Sequence, residues 1–415
     1  MSQPLLYVGD VPVESTYYGS AQLHRLLAGY PAGKLTIIET GPPSQPGRRL
    51  SNAKYLSYPI GKPRWLNTRF HPQVMVWYSH RGRSVAAQVS ASLNGDAVSS
   101  ILTVAHGFGW LAAARMAEMR RVPLHLLVHD DWPRVANVPA AFRNWLDRRF
   151  ADVYRQAQSR ICVSPAMQRD YHARYGETAE VLYPSRAPGL PQFAEPPERT
   201  GRNDHQFTIA FAGTINSPGY TRALVDLSNA LSPMGGQLLI FGPLTPEQAR
   251  QLGLDLPNVT VGGLLSWPNL ITRLREQADA LVVPMSFEAC DRSNMEIAFP
   301  SKLADCTAVG VPLVIYGPEY CSAVRWAREN AGVAEVVDAP LKLGDVVVPH
   351  HVGDDAVADV LDGDFDVDQF TGPVCGLVQG SRDLKRVLRI TRSYRWREDP
   401  RWCAWFCGHA RLRGV

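Results

Sequence analysis

The sequence predicts an α/β protein built from two Rossmann-like domains with a cleft between them. Three observations carry this. Short apolar runs recur along the 415 residues, separated by stretches with helical apolar spacing. The alternation runs twice, from Leu5 to Leu182 and again from Phe207 to Val337. Between the two series lies PSRAPGLPQFAEPPERTGRNDHQ, residues 184–206, rich in proline and polar residues and without apolar period. A chain of this length also exceeds one ordinary core, at about 150 residues per domain. The expected organisation is a domain at 1–183, a linker at 184–206, a domain at 207–340 and a tail at 341–415.

In the first series Leu5 to Val8 reads as a strand. A loop follows, and a helix begins near Ser20 with Ala21, Leu23, Leu26 and Leu27 on one side. Gly19 precedes that helix, where a glycine lets backbone amides approach a ligand or simply makes the turn. Tyr17-Tyr18-Gly19-Ser20 is not the dinucleotide pattern G-x-G-x-x-G, which argues against nicotinamide or flavin. Further strands are expected at Leu35–Glu39, Val74–Tyr78, Ile101–Ala105, Leu124–His129, Arg160–Ser164 and Glu180–Leu182. Helices are expected at Arg83–Leu93, Trp110–Arg120, Pro139–Gln156 and Pro165–Tyr175. Ligands of such sheets bind outside the carboxyl ends of the strands. Two of those ends carry histidine, His106 and His129-Asp130-Asp131. Either ring could face a ligand or cap a strand end through hydrogen bonds.

In the second series strands are expected at Phe207–Gly213, Leu238–Phe241, Val259–Val261, Ala280–Val283, Pro312–Tyr316 and Glu335–Val337. Helices are expected at Arg222–Leu231, Pro268–Gln277 and Ser322–Asn330. Its densest stretch is 279–338. Leu281-Val282-Val283-Pro284 reads as a buried strand, with Glu288 in the loop beyond it. Pro300-Ser301-Lys302 then opens a helix that closes at Gly310. The amino terminus of a helix offers free N–H groups and partial positive charge, which suits a phosphate, and Lys302 adds a cation. The plain alternative for Lys302 is an exposed lysine, which the helix dipole disfavours. Carboxylates nearby, Glu288 and Asp305, suit hydroxyl-rich groups, so the stretch reads as a site for a sugar attached to a phosphate.

This arrangement resembles the carboxy-terminal half of retaining glycosyltransferases of the GT-B fold, the group 1 or family 4 class. In that family a strand ending in proline is followed by Glu, and a helix carries a second acid five residues before Gly-x-Pro, here Asp305 before Gly310 and Pro312. The family separates its two acids by about seven residues, whereas sixteen lie between Glu288 and Asp305. The family also places Arg and Lys just beyond the strand that ends at Gly213-Thr214; here no basic residue precedes Arg222. The resemblance implies a hexosyltransferase that moves a sugar from a nucleoside-diphosphate sugar to a carbohydrate or lipid-linked acceptor, with retained configuration and no metal or other cofactor. It implies that Gly19, Gly213, Thr214, Ser301 and Lys302 hold the diphosphate and Asp305 the ribose. Glu288 would bind the sugar's hydroxyls, and His129 would orient the sugar or stabilise charge at the anomeric centre. A non-catalytic sugar- or nucleotide-binding module and a nucleotide-sugar epimerase are the alternatives.

The net charge of +4 is too small to argue for nucleic acid. No apolar run approaches a membrane span, and seven scattered cysteines fit a reducing compartment, so a cytoplasmic protein is expected; the resemblance implies a place in polysaccharide biosynthesis. The acidic run at 354–368 reads as a solvated loop. Leu384, Val387 and Leu388 could make part of a helix, and Trp402 to His409 is a Trp- and Cys-containing end rather than a complete zinc site. The basic tail could touch the inner face of a membrane.

Overall fold

The computed structural model describes residues 3–15, 18–66, 68–93, 95–186, 193, 197, 206–215 and 217–341. Most of the linker and all the expectations for the tail, including the helix at Leu384 and the Trp402 to His409 end, lie outside them. Tyr17 and Asn216 do too.

The first series forms β1 (Leu5–Gly9), α1 (Tyr18–Ala28), β2 (Leu35–Glu39), β3 (Ala53–Ser57), α2 (His71–Ser92), β4 (Ser100–Val104), α3 (Gly109–Arg120), β5 (Leu124–Val128), α4 (Ala140–Gln156), β6 (Ser159–Cys162), α5 (Pro165–Tyr175) and β7 (Glu180–Val181). Its seven strands are all parallel, in the order β3-β2-β1-β4-β5-β6-β7. Alternate residues of β1 reach opposite cores. Leu6 and Val8 pack with Trp110, Phe150 and Tyr154, while Leu5 and Tyr7 pack with Leu23, Leu27 and Ile37. A strand covered on both faces has no polar side, which is why it reads as a continuous apolar run. Helix ends follow local chemistry. Ser164 caps α5 by accepting from Met167 N, and Gly176 at φ +82° closes it.

The structure corrects one expected strand. Val74–Tyr78 lies inside α2, whose buried positions Met75, Tyr78, Ser79, Gly82, Val85, Ala86 and Val89 repeat with the helical period. The strand beside β2 is instead β3, a half-buried edge strand.

The second series forms β8 (Thr208–Ala212), α6 (Pro218–Leu231), β9 (Gln237–Phe241), α7 (Pro246–Gln251), β10 (Val259–Gly263), α8 (Trp267–Gln277), β11 (Ala280–Pro284), α9 (Arg292–Ile297), α10 (Ser301–Cys306), β12 (Leu313–Tyr316), α11 (Ser322–Glu329) and β13 (Glu335–Val337). Its six strands are parallel, in the order β10-β9-β8-β11-β12-β13. Phe211, Leu224, Leu227, Ile240, Val282 and Tyr316 build one of its faces.

The chain divides into two compact units. One holds Met1–Ser185 together with Ser293–Ser301; the other holds Arg186–Arg292 and continues from Lys302. Ile297 and Ala298 accordingly belong to the core around Trp110, and Ser164 Oγ donates to Ile297 O at 2.5 Å.

Candidate functional site

Each sheet reverses its strand order once beside its first strand, between β1 and β4 in one unit and between β8 and β11 in the other. Such switch points leave a crevice at the carboxyl ends of the strands, and ligands of doubly wound sheets bind there.

In the first unit the loop after β1 supplies Asp10, and the loop after β4 supplies His106 and Gly107. Asp10 accepts hydrogen bonds from Thr40 Oγ1, from Phe108 N and, at 3.0 Å, from Gly109 N. The last two are amides at the start of α3, so the carboxylate neutralises that end of the helix. Gly107 has φ +53°, and a Cβ there would overlap Asp10 Oδ2. Burial raises the Asp10 pKa, opposed by its three hydrogen bonds and by His106.

His129 stands at the end of β5, next to β4. Its Nε2 is buried without a hydrogen-bond partner among the described residues. Burial pushes its pKa down to about 4, with Asp130 pulling the other way. The imidazole is therefore neutral near pH 7, with one nitrogen to donate and one to accept. Gly19, in the first turn of α1, lies against it: a Cβ at Gly19 would sit 3.1 Å from His129 Nδ1. The two acids after His129 have separate fates. Asp131 is buried and bound by Arg174 Nη1 at 2.8 Å. Asn294 accepts from Asp131 N at 2.9 Å, and its amide lies 3.5 Å from Asp130 Oδ1.

In the second unit Lys302 organises the switch point. Its Nζ donates to Thr214 O at 2.8 Å, beyond the end of β8, and lies 4.8 Å from the centre of the Phe211 ring and 5.0 Å from that of Tyr220. No carboxylate pairs with it among the described residues. Lys302 keeps some exposed surface, but burial of its ammonium pushes the pKa down to about 8. Gly213 makes room for the lysine stem. Its φ is +152°, and a Cβ would stand 2.5 Å from Lys302 Cε. Four residues on, burial pushes the Cys306 thiol up to about 12; Asp305 adds to this and Lys302 opposes it.

Beyond β11, Glu288 pairs with Arg222 of α6, and Glu288 N donates to the buried Ser286 Oγ at 3.1 Å. Gly219 of α6 packs so closely here that a Cβ would overlap Ser286 Oγ. Arg222 also acts on Asp226, whose pKa burial raises, Arg222 lowers and Glu288 raises.

Comparison with known proteins agrees with this fold. Residues 34–185 match the family model for Glycosyltransferase Family 4. The chain carries a glycosyltransferase family 4 domain on a GT-B fold. Among solved structures it is similar to Anabaena HepE in complex with UDP and glucose, with 13% identity and TM-score 0.54, over 94% of this chain and 97% of that one. It is similar to α,α-trehalose 6-phosphate synthase from Burkholderia multivorans, with 13% identity and TM-score 0.54, over all of both chains. It is also similar to the lipopolysaccharide outer core galactosyltransferase WaaB, with 16% identity and TM-score 0.51, over 95% of this chain and 96% of that one. Likeness at such identities establishes the fold. No curated protein sequence matches the chain.

The resemblance to GT-B glycosyltransferases is thus borne out, although the family model matches the first unit and the motifs quoted above lie mainly in the second. Of the residues singled out in sequence, the structure brings Gly213, Thr214 and Lys302 together in one unit and Gly19 and His129 together in the other. Ser301 is the half-buried first residue of α10, a helix of only six residues. Asp305 lies on the same helix, and Glu288 is engaged by Arg222 rather than standing alone. Sequence reading missed Asp10, Arg222 and Asn294.

Among the described residues no three His, Cys, Asp or Glu side chains gather as a metal site, and no helix is long and apolar enough to cross a membrane.

Proposed function

We propose that this glycosyltransferase moves a hexose-type sugar from a nucleoside-diphosphate donor to a carbohydrate or lipid-linked acceptor, with retention of configuration. One observation carries the reading: Lys302 holds a buried ammonium at the β8/β11 switch point with a neutral carbonyl as its hydrogen-bond partner. A desolvated cation without a counter-ion is costly, and a diphosphate would supply the missing charge. The placement of Lys302 also supports this reading despite the missing Arg and Lys beyond β8. Lys302 reaches that position from a distant helix, and Gly213 is kept small to admit it. The Thr214 carbonyl holds the ammonium in place.

The remaining roles follow from charge. Glu288 and Asp305 would accept hydrogen bonds from the hydroxyls of the sugar and the ribose. His129, neutral near pH 7, would orient a sugar hydroxyl or an anomeric substituent rather than act as a cation. The chemistry needs negative charge stabilised on the leaving diphosphate, the task assigned to Lys302.

HepE was solved with UDP and glucose, so UDP-glucose and UDP lead the probes. The test is a thermal-shift screen of UDP, GDP, ADP and their sugar conjugates, followed by product analysis with the stabilising donor. A diphosphate that raises the melting temperature, with transfer or slow donor hydrolysis, supports the reading. Binding without turnover on any acceptor would make the chain a sugar-nucleotide-binding module. Conversion of donor to an isomeric donor without acceptor would make it an epimerase.

A further inference from the structure

We propose that the surface at the start of α2 docks onto an anionic lipid surface. Between Glu39 and Asp96 the sequence contains no acidic residue and eight Lys or Arg, namely Arg48, Arg49, Lys54, Lys62, Arg64, Arg69, Arg81 and Arg83. Arg49 and Lys54 are spent on Glu39 and Asp96. Lys62, Arg64, Arg69 and Arg81 form no ion pair among the described residues. Lys62, Arg69 and Arg81 lie over aromatic rings, with the exposed Arg64 beside Trp65 in sequence. Phe70 is 54% and Trp77 40% exposed, against the usual burial of such groups.

The folding of 62–81 makes these residues one patch. A single turn at Pro63–Trp65 and the first turns of α2 bring Trp65 and Trp77 together, ring centres 5.4 Å apart. Phe70 precedes Trp77 by seven residues, two helical turns along the same side. Each ring carries a cation over it: Lys62 at 6.0 Å from Trp65, Arg69 at 4.8 Å from Phe70, and Arg81 at 4.9 Å from Trp77.

Exposed aromatics with long cations beside them are the composition of a membrane interface, where rings sit at headgroup depth and cations meet phosphates. The charge is complementary to anionic lipid and to nothing acidic nearby in the described chain. A single-stranded nucleic acid fits less well. It needs open ring faces for base stacking, and here the faces of Trp65, Phe70 and Trp77 already carry cations. The proposal does not depend on the reaction assigned above.

The experiment is co-sedimentation of the full chain with vesicles of phosphatidylcholine, alone or mixed with phosphatidylglycerol, across a salt series. The expected result is binding to the mixed vesicles only, weakening as salt rises. Removing one cation should lower the partition about fivefold, so the triple variant Arg64→Gln, Arg69→Gln, Arg81→Gln should lose about a hundredfold. Phe70→Ser with Trp77→Ser should weaken binding to the same vesicles with the circular dichroism unchanged. If the triple variant melts early, Arg69→Gln alone, at an exposed position, carries the same reading. Equal binding to both vesicle types overturns the proposal. So does wild-type binding by the charge variants, which would move the contact elsewhere in the chain. Capture of oligouridylate through these residues, with no vesicle binding, would replace lipid by RNA and also sink it.

Discussion

The two sheets reverse their strand order at equivalent places, yet the loops there treat charge in opposite ways. At the β1/β4 crossing, Asp10 is answered by Thr40 and by two amides of α3, and nearby Asp131 is answered by Arg174. What remains for a ligand is a neutral imidazole, His129. At the β8/β11 crossing the buried charge is Lys302, and its hydrogen-bond partner is a carbonyl. Buried charges persist only when paired or when kept for something else. The contrast teaches that the first unit uses its charges to hold its own loops, while the second leaves its lysine on a carbonyl, the charge proposed above to meet the donor's diphosphate.

The largest effect should come from removing that charge. Lys302→Met keeps the stem and takes away the ammonium. The affinity for a nucleoside diphosphate should fall about a hundredfold, roughly 3 kcal/mol, and its thermal shift should vanish. The ligand-free variant should melt no lower than wild type, because an uncompensated buried cation has gone. Asp10→Ala should do the reverse. It should lower the melting temperature through a lost helix cap, by about 1 kcal/mol, and leave the diphosphate's shift standing. The comparison breaks if both variants lose stability and binding together. Acidity sharpens it. Lys302 must be protonated to hold the anion, and burial has pushed its pKa down to about 8. Affinity should be flat below that value and decline as pH rises through it, a limb that Lys302→Met should lack. Should the limb survive in the variant, another group is responsible.

Gly213→Ala comes next. Two costs add: a φ of +152° that an L side chain rarely adopts, and a Cβ placed against Lys302 Cε. Denaturant melts should show a loss of about 1–3 kcal/mol. In a Lys302→Ala background the steric part has no partner, so the same substitution should cost visibly less. Strict additivity of the two changes would mean that Gly213 serves the backbone alone and makes no room for the lysine.

Most strands were legible because they are buried on both faces and so read as unbroken apolar runs between glycines and prolines. The exceptions follow from the same rule. β3 is an edge with Lys54 exposed on it, so its run is broken. Val74–Tyr78 has strand-like residues, but its burial follows α2. At the site, Gly213, Thr214 and Lys302 stood out by type, yet nothing local joins Thr214 to Lys302, 88 residues apart. Asp10 carried no local signal, since its amide donors lie 98 and 99 residues on. The departure in spacing was visible, but its meaning was not. Sixteen residues separate Glu288 and Asp305 where the resembled family has about seven. The segment Ser293–Ser301, which joins the first unit, lies between the two acids. Within that segment Asn294 bonds to Asp131 N beside His129, a contact no periodicity could announce.

The smallest expected effect concerns the acid in the second unit that is already partnered. The Arg222 side chain is 62% exposed and that of Glu288 30%. An ion pair so near solvent contributes little to stability, about 0.5 kcal/mol. Arg222→Gln should therefore leave the melting temperature almost unchanged. Its effect should appear in the kinetics. If Arg222 only restrains Glu288 and shares its field with Asp226, donor KM should shift a few-fold while kcat stays. If Arg222 instead turns to the diphosphate when donor is bound, the variant should lose affinity on the scale of Lys302→Met, and the second unit would hold two cations for the anion rather than one.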